Sequence, residues 1–434
     1  KIARDNLSHR LKETREAALN ALEIRNDRDL QKVIELFSHD DYHMEKRAAD
    51  KIRTSEYRNS RLLIESLSRP CSRMRENLFR IIEEMDIKDI DIFHFFKDQM
   101  YFCYVYTAII DHLKREGGGP AVCLLVRHLE QKKNRSVQTV LRIASVTDGT
   151  GRMTPVYRSF CSKDPRQRAN AAEALENMIE RPLRDMLMPL VEATSVAGML
   201  KAGNRHFSLP AFESGLSDIC SYLAALDDPV TVLLALASAL ENGDCQINEA
   251  ELVRLTESEN PAVKELAEKK RDGQMKNENG QMENDLSLYE KILHLQKVEI
   301  FRDLDINELA AVAAIAEEKT YPAGHRLCIE NEVAETMYVA VSGRVAATRE
   351  GVSMGTFSSG DSFGLSAFLV DDKRLLTCIT REESRFLVLH KSEFTEMLME
   401  YPKISYEIAR IQTRRIRKLL QGVETGKTDT EETF

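Results

Sequence analysis

Six glycines, at positions 324, 343, 351, 355, 360 and 364, punctuate one stretch of the chain. After Gly343 they leave no interval long enough for a typical helix of about 11–12 residues. A glycine inside a helix costs about 1 kcal/mol relative to alanine, whereas in a tight turn it reaches positive φ without steric penalty. Short alternating segments run between the glycines, and Met337-Tyr338-Val339-Ala340-Val341 is a short apolar run closed by Ser342-Gly343-Arg344-Val345. A period of two between turn glycines predicts short strands closing into a β-roll.

Residues 1–270 follow another period. Apolar side chains recur every three or four residues, which predicts helix after helix with almost no strand. Two units overlay at an offset of thirty residues: Val33-Ile34-Glu35, Ser38, Met44 and Ile52 match Leu63-Ile64-Glu65, Ser68, Met74 and Ile82. Further copies begin at Tyr157 and Leu252, and their second helices open on Asp164-Pro165 and Asn260-Pro261. Asp or Asn before Pro is an N-cap followed by a residue preset for the first helical turn. Helix pairs repeating at this interval look like HEAT or armadillo repeats, so the expected architecture is an N-terminal α-solenoid over 1–270. An irregular helical bundle is the alternative, because residues 86–130 do not align.

The expected boundaries follow from composition. Residues 271–285 are polar, rich in Asn, Gln and Gly, and read as a flexible linker between separable domains. A domain over 286–420 begins at Leu286 and carries Asp305 as an expected helix N-cap. It ends in two helices, one from Lys391 and one from Pro402 to Leu420, before an acidic tail over 421–434. The fold class is therefore multi-domain: an α-solenoid, then a β-roll with flanking helices.

At 43% hydrophobic and 30% charged residues the chain has a globular composition, and a net charge of −9 removes any global electrostatic case for nucleic acid or an anionic membrane. The eight cysteines include no Cys-x-x-Cys pair, which points to free thiols, a reducing cytoplasm and no zinc site. No apolar run approaches the roughly 18 residues a spanning helix requires, and Met100 to Ile110 reads as a buried helix. His39-Asp40-Asp41-Tyr42-His43 has i, i+4 histidines, but its acids more simply initiate a helix, so no metal is expected. Gly117-Gly118-Gly119-Pro120 lacks the Lys-Ser/Thr of a phosphate loop and reads as an interhelical turn. The cationic run Arg410 to Lys418 carries apolar positions 408, 411, 416, 419 and 420, an amphipathic helix with no helix-turn-helix after it. No nucleophile, metal set or acid–base pair can be assembled, and no enzyme activity is expected.

The most specific motif is Phe363-Gly364-Leu365-Ser366-Ala367, followed by Arg374-Leu375-Leu376-Thr377. With the roll glycines it resembles the cyclic-nucleotide-binding domain of the catabolite-activator and protein-kinase-A-regulatory type, a jelly roll. There the loop reads Phe-Gly-Glu-Leu-Ala and then Arg-Ala-Ala-Thr. The resemblance implies that Phe363 to Ala367 and Arg374 to Thr377 line a cAMP or cGMP site. Gly364 would let backbone N–H groups approach the phosphate, and Arg374 would pair with its charge. A short helix opening near Ser366 would aim further donors at the anion. The chain departs from the pattern at Leu365, where the family's Glu holds the ribose hydroxyl, and at Leu375 and Leu376, where it has small residues. A lost charge-assisted hydrogen bond costs about 1.5–3 kcal/mol, one to two decades in affinity. Arg374 has a surface alternative, pairing with Asp371 or Asp372.

The segment Val137 to Glu192, with Asp164-Pro165-Arg166-Gln167-Arg168 and Arg181-Pro182-Leu183-Arg184-Asp185, is similar to the C-terminal part of bacterial ATP/ADP-translocase-like carriers of the major-facilitator type. In those carriers HEAT repeats join a cyclic-nucleotide-like domain. This resemblance implies a transporter upstream of Lys1, which is not Met, and a place on the cytoplasmic side of an inner membrane. The expected function is a non-enzymatic regulatory or interaction module with an associated membrane transporter as partner, other proteins bound through the solenoid surface, and a degenerate roll. The alternative is a genuine cyclic-nucleotide sensor acting through Arg374 and the 363–367 loop.

Overall fold

The computed structural model describes residues 2–7, 9, 12–38, 42–67, 72–85, 92–148, 150–162, 164–192, 195–272, 285–370 and 372–425. His39 to Asp41, most of the 271–285 stretch and the end of the acidic tail lie outside them. The chain divides into two compact units, Lys1–Gly118 with Val126–Ile219, and Gly119–Leu125 with Cys220–Phe434. The division falls at Ile219/Cys220, so the helices between 220 and 272 cluster with the roll.

The first unit is helical. The overlaid repeats form the pairs Asp27–Glu35 with Tyr42–Thr54, and Ser60–Ser66 with Ser72–Glu84. Every matched apolar position, Val33/Leu63, Ile34/Ile64, Met44/Met74 and Ile52/Ile82, is buried in one core. Asn26 and Asn59 cap the first helix of each pair by accepting from the backbone N–H of Asp29 and Leu62. The interval that did not align holds two helices of a different size, Ile92–Glu116 with 25 residues and Pro120–Thr147 with 28. Met100, Cys103, Tyr104, Val105 and Ile109 are fully buried in the former. Gly117 at φ +75° turns the chain between the two. No helix among the described residues is long and apolar enough to cross a membrane.

Asp164 and Asn260 cap their helices as the sequence predicts, accepting from Arg166 and from Ala262 and Val263. A further Asx-Pro cap, Asp228-Pro229, opens the almost wholly buried helix Pro229–Glu241. In the second unit that helix packs against Pro261–Arg271 and against two helices leading into the roll, Leu288–Leu295 and Ile306–Ile315. Asp305 forms a reciprocal capping box with Glu308.

The roll is a sandwich of two four-stranded antiparallel sheets. Its strands are β1 (Glu317–Tyr321), β2 (Arg326–Cys328), β3 (Thr336–Ser342), β4 (Val345–Arg349), β5 (Val352–Phe357), β6 (Ser362–Phe363), β7 (Thr377–Thr380) and β8 (Ser384–His390). The sheets run β1-β8-β3-β6 and β2-β7-β4-β5. Their inner faces enclose Leu327, Tyr338, Val345, Phe363, Phe386 and Val388. The rings of Tyr338 and Phe363 stack at 5.2 Å, and those of Phe357 and Phe363 at 4.8 Å. Each of the six turn glycines has positive φ. At Gly343 a Cβ would also lie 2.6 Å from the Ser384 Cα, so the β3–β4 turn excludes every other residue.

Lys391–Glu400 and Pro402–Thr425 complete the chain. Of the expected apolar stripe on the last helix, Ile408 and Ile411 are buried but Ile416 and Leu420 are exposed. The stripe follows the roll for only part of the helix. Three cations of the last helix are paired with acids: Arg410 with Asp303 and with Glu407 at 2.7 Å, Arg415 with Glu299 at 2.7 Å, and Lys403 with Glu308 at 3.0 Å.

Two expected outcomes follow from this packing. A Cβ on Gly203, inside the helix Val196–His206, would sit 2.6 Å from the Tyr104 ring. Tyr104 is fully buried and anchored by its hydroxyl, which donates to the Met186 carbonyl at 2.8 Å, so it has little room to yield. Gly203→Ala should destabilise the chain by about 1–3 kcal/mol despite alanine's helix preference, read by denaturant midpoint. Burial, reinforced by Lys297, holds His294 below the usual imidazole range. The unfolded chain therefore takes up that proton first, and the contribution is complete above about pH 6.5 and lost as pH falls below it. His294→Gln should flatten the fall in melting temperature between about pH 7.5 and 5.5; an unchanged slope counts against the assignment.

Candidate functional site

Phe363 ends β6 with its ring in the aromatic core, and Gly364 follows at φ +93°, capping the five-residue helix Leu365–Leu369. The helix opens at Leu365, one residue earlier than expected, and is little more than a turn. Leu365, Ala367 and Phe368 are buried, and Ser366 faces outward. Gly364 is required for two reasons. Its φ is left-handed, and a Cβ there would lie 2.3 Å from Nη1 of Arg374.

Arg374 is buried, at 6% exposure. Its Nη1 donates to the Gly364 carbonyl at 3.3 Å, and its Nη2 donates to the Thr336 carbonyl and, at 3.0 Å, to the Thr336 hydroxyl. The backbone is fastened too: its N–H donates to the Glu332 carbonyl at 2.7 Å, and its carbonyl accepts from Asn331 at 2.9 Å. No ion pair with an acid is present among the described residues, so pairing with Asp372 is not the arrangement found; Asp371 lies outside them. A guanidinium has five N–H donors, and three are directed at protein oxygens here.

The remaining motif residues diverge. Leu375 is 48% exposed. It lines an outer cleft of about 260 Å³ with Ser366, Leu369, Val370, Lys373 and Gln412, the last from the C-terminal helix. Leu376 packs against the interior of the roll. Thr377 opens β7, and its hydroxyl accepts from the Glu330 N–H at 3.0 Å. Of the motif residues, Gly364 and Arg374 are joined by a hydrogen bond, Phe363 and Leu376 share the interior of the roll, and Ser366, Ala367 and Leu375 line the cleft.

Two features escaped the motif. Thr336, 38 residues from Arg374, supplies both oxygens that hold Nη2, a pairing with no local signal. Cys328 and Cys378 are directly opposed across β2 and β7. Among the described residues no group of three or more potential ligands is placed to hold a metal, and His39 and the His43 side chain lie outside the description.

Residues 318–401 match the family model of the cyclic nucleotide-binding domain. The C-terminal region carries that domain. Over 113 residues the chain is 29% identical to a cAMP-dependent protein kinase regulatory subunit of Neurospora crassa, covering 26% of this chain and 29% of the relative. Over 124 residues it is 19% identical to a cyclic AMP receptor protein of Thermus thermophilus, covering 27% of this chain and 57% of the relative. The solved catabolite activator protein of Thermus thermophilus is similar at 19% identity, with a TM-score of 0.27, covering 29% of this chain and 62% of that one. The chain thus spans 29% and 57% of the lengths of these two curated relatives.

The geometry makes the loop sensitive at two positions. Arg374→Ala should leave the oxygens of Thr336 and Gly364 without their donors and cost about 1–3 kcal/mol. Gly364→Ala should cost a similar amount through backbone strain and the Arg374 clash. Chemical denaturation followed by the roll's tyrosines measures both; a wild-type midpoint for either variant would show that the guanidinium contacts do not hold the loop.

Proposed function

We propose that the chain is a non-enzymatic regulatory module. Its C-terminal domain senses an anionic ligand of the nucleotide class but has lost high affinity for cAMP. The observation that carries this reading is a buried Leu365 together with an Arg374 that already donates three of its five N–H groups to protein oxygens. A leucine there cannot accept from a ribose hydroxyl. An incoming phosphate would meet the two remaining guanidinium N–H groups and would compete for the other three with neutral oxygens, offering a full negative charge in exchange. The phosphate side of the cassette retains its arginine and its glycine, while the sugar side is apolar.

In this reading the helical pairs form a HEAT-like scaffold that passes the state of the roll to a protein partner. The sequence resemblance points to an associated membrane transporter as that partner. A genuine cAMP or cGMP sensor is the second reading. It is favoured by the match to the cyclic nucleotide-binding family and by relatives named for cAMP.

Calorimetric titration of the full chain with cAMP, cGMP and linear nucleotides separates the two. The expected cAMP dissociation constant is weaker than about 1 μM, less favourable than about −8 kcal/mol. Leu365→Glu should tighten binding at least tenfold if the ribose contact is what is missing, and Arg374→Ala should remove what binding remains. Submicromolar cAMP binding by the unmodified chain, lost on Arg374→Ala, would overturn the degenerate reading in favour of the sensor.

A further inference from the structure

Cys328 and Cys378 lie 50 positions apart in sequence, yet they face each other as register partners on the antiparallel strands β2 and β7. Directly opposed residues in such a pair have Cα atoms about 4.5–5.5 Å apart, inside the 4.4–6.8 Å range that a disulfide spans. Both side chains project into the same inner face of the roll, where both are buried, Cys328 the less completely at 8% exposure against 1%. Both are free thiols. The Cys328 thiol donates to the Leu376 carbonyl at 3.5 Å, and the two sulfurs are near enough to shift each other's titration. A register shift in β2 between Arg326 and Cys328 gives that strand slack to adjust.

We propose that Cys328 and Cys378 form a dithiol oxidation site, closed to a cross-strand disulfide by hydroperoxides. The two thiols are not equivalent. Cys328 is the less buried of the two. Contact with Cys378 and the nearby Arg374 charge hold it below the ordinary thiol range, while contact with Cys328 and burial push Cys378 up. In this proposal the more accessible Cys328 is the thiolate that attacks. Its sulfur breaks the peroxide O–O bond and becomes a sulfenic acid, and the departing oxygen takes a proton to leave as water or an alcohol. The Cys378 sulfur then attacks the Cys328 sulfur, forming the S–S bond. The expelled hydroxide takes the Cys378 proton and leaves as water. Two thiols are oxidised, and one peroxide is reduced by two electrons. The bond would pin β2 to β7, whose first residue follows Arg374 by three positions, and so reports oxidation beside the anion loop.

A second buried thiol pair, Cys220 with Cys245, provides an internal comparison, because Cys220 is pushed well above the ordinary thiol range by Cys245 and by burial. Cys123 and Cys161 are exposed and provide another. The test is to treat the native full chain with near-stoichiometric hydrogen peroxide, block free thiols by alkylation, digest, and map the peptides by mass spectrometry. The expected product is a Cys328–Cys378 cross-linked peptide, lighter by two hydrogens and reversed by a dithiol reductant. Cys378→Ala should instead leave a Cys328 sulfenic acid that a dimedone probe captures, with no such adduct at Cys378 in Cys328→Ala. Quantitative alkylation of both residues in the wild type, conversion of Cys328 to sulfinic acid without a cross-link, or a cross-link confined to Cys220 and Cys245 would each overturn the proposal.

Discussion

A buried guanidinium, held by the Gly364 and Thr336 carbonyls and the Thr336 hydroxyl, organises the loop that opens at Gly364. Burying a cation is costly unless hydrogen bonds replace the lost water, and Arg374 obtains them from Thr336 and Gly364. That arrangement imposes its own conditions. Gly364 must be left-handed and bare of a Cβ, the segment at 331–332 must fasten the Arg374 backbone, and β3 must begin where the Thr336 carbonyl meets Nη2. The positive φ of Gly364, the burial of Leu365 and the separation of Leu375 from Leu376 follow from the same local geometry.

The same contact defines what a ligand would meet. Three of the five Arg374 N–H donors are engaged by neutral oxygens, and under the proposed function an anion would compete with those bonds. The nearby Cys328 and Cys378 sense the same charge, since Arg374 lowers the affinity of both thiols for their protons.

In the helical region the constraint is packing. The repeat is legible because each matched apolar position must be buried, and Val33, Met44, Leu63 and Met74 are. It fades between residues 86 and 130 because the two helices there, at 25 and 28 residues, are far longer than the 7 to 13 residues of those in the repeat pairs. The helices beyond Ile219 group with the roll for a similar reason: Pro229–Glu241 is apolar on nearly every face and needs partners all round, which the helices leading into the roll supply.

Local chemistry determined a good deal by itself. Turn glycines, the Asx-Pro caps at 164 and 260, the Asp305 cap and the change of period from helix to strand were readable because each depends on residues within one turn of one another. The cassette from Phe363 to Thr377 was readable as a motif for the same reason, and so was the missing acceptor at Leu365. Only the tertiary structure decided that Arg374 turns onto Thr336, that Leu375 faces outward while Leu376 faces the roll, that Ile416 and Leu420 lie beyond the buried stripe, and that Cys328 opposes Cys378. Each of these joins residues far apart in the chain or depends on where a packed surface ends. Strand register and side-chain burial are settled by the whole sandwich at once, not by any neighbouring pair of residues.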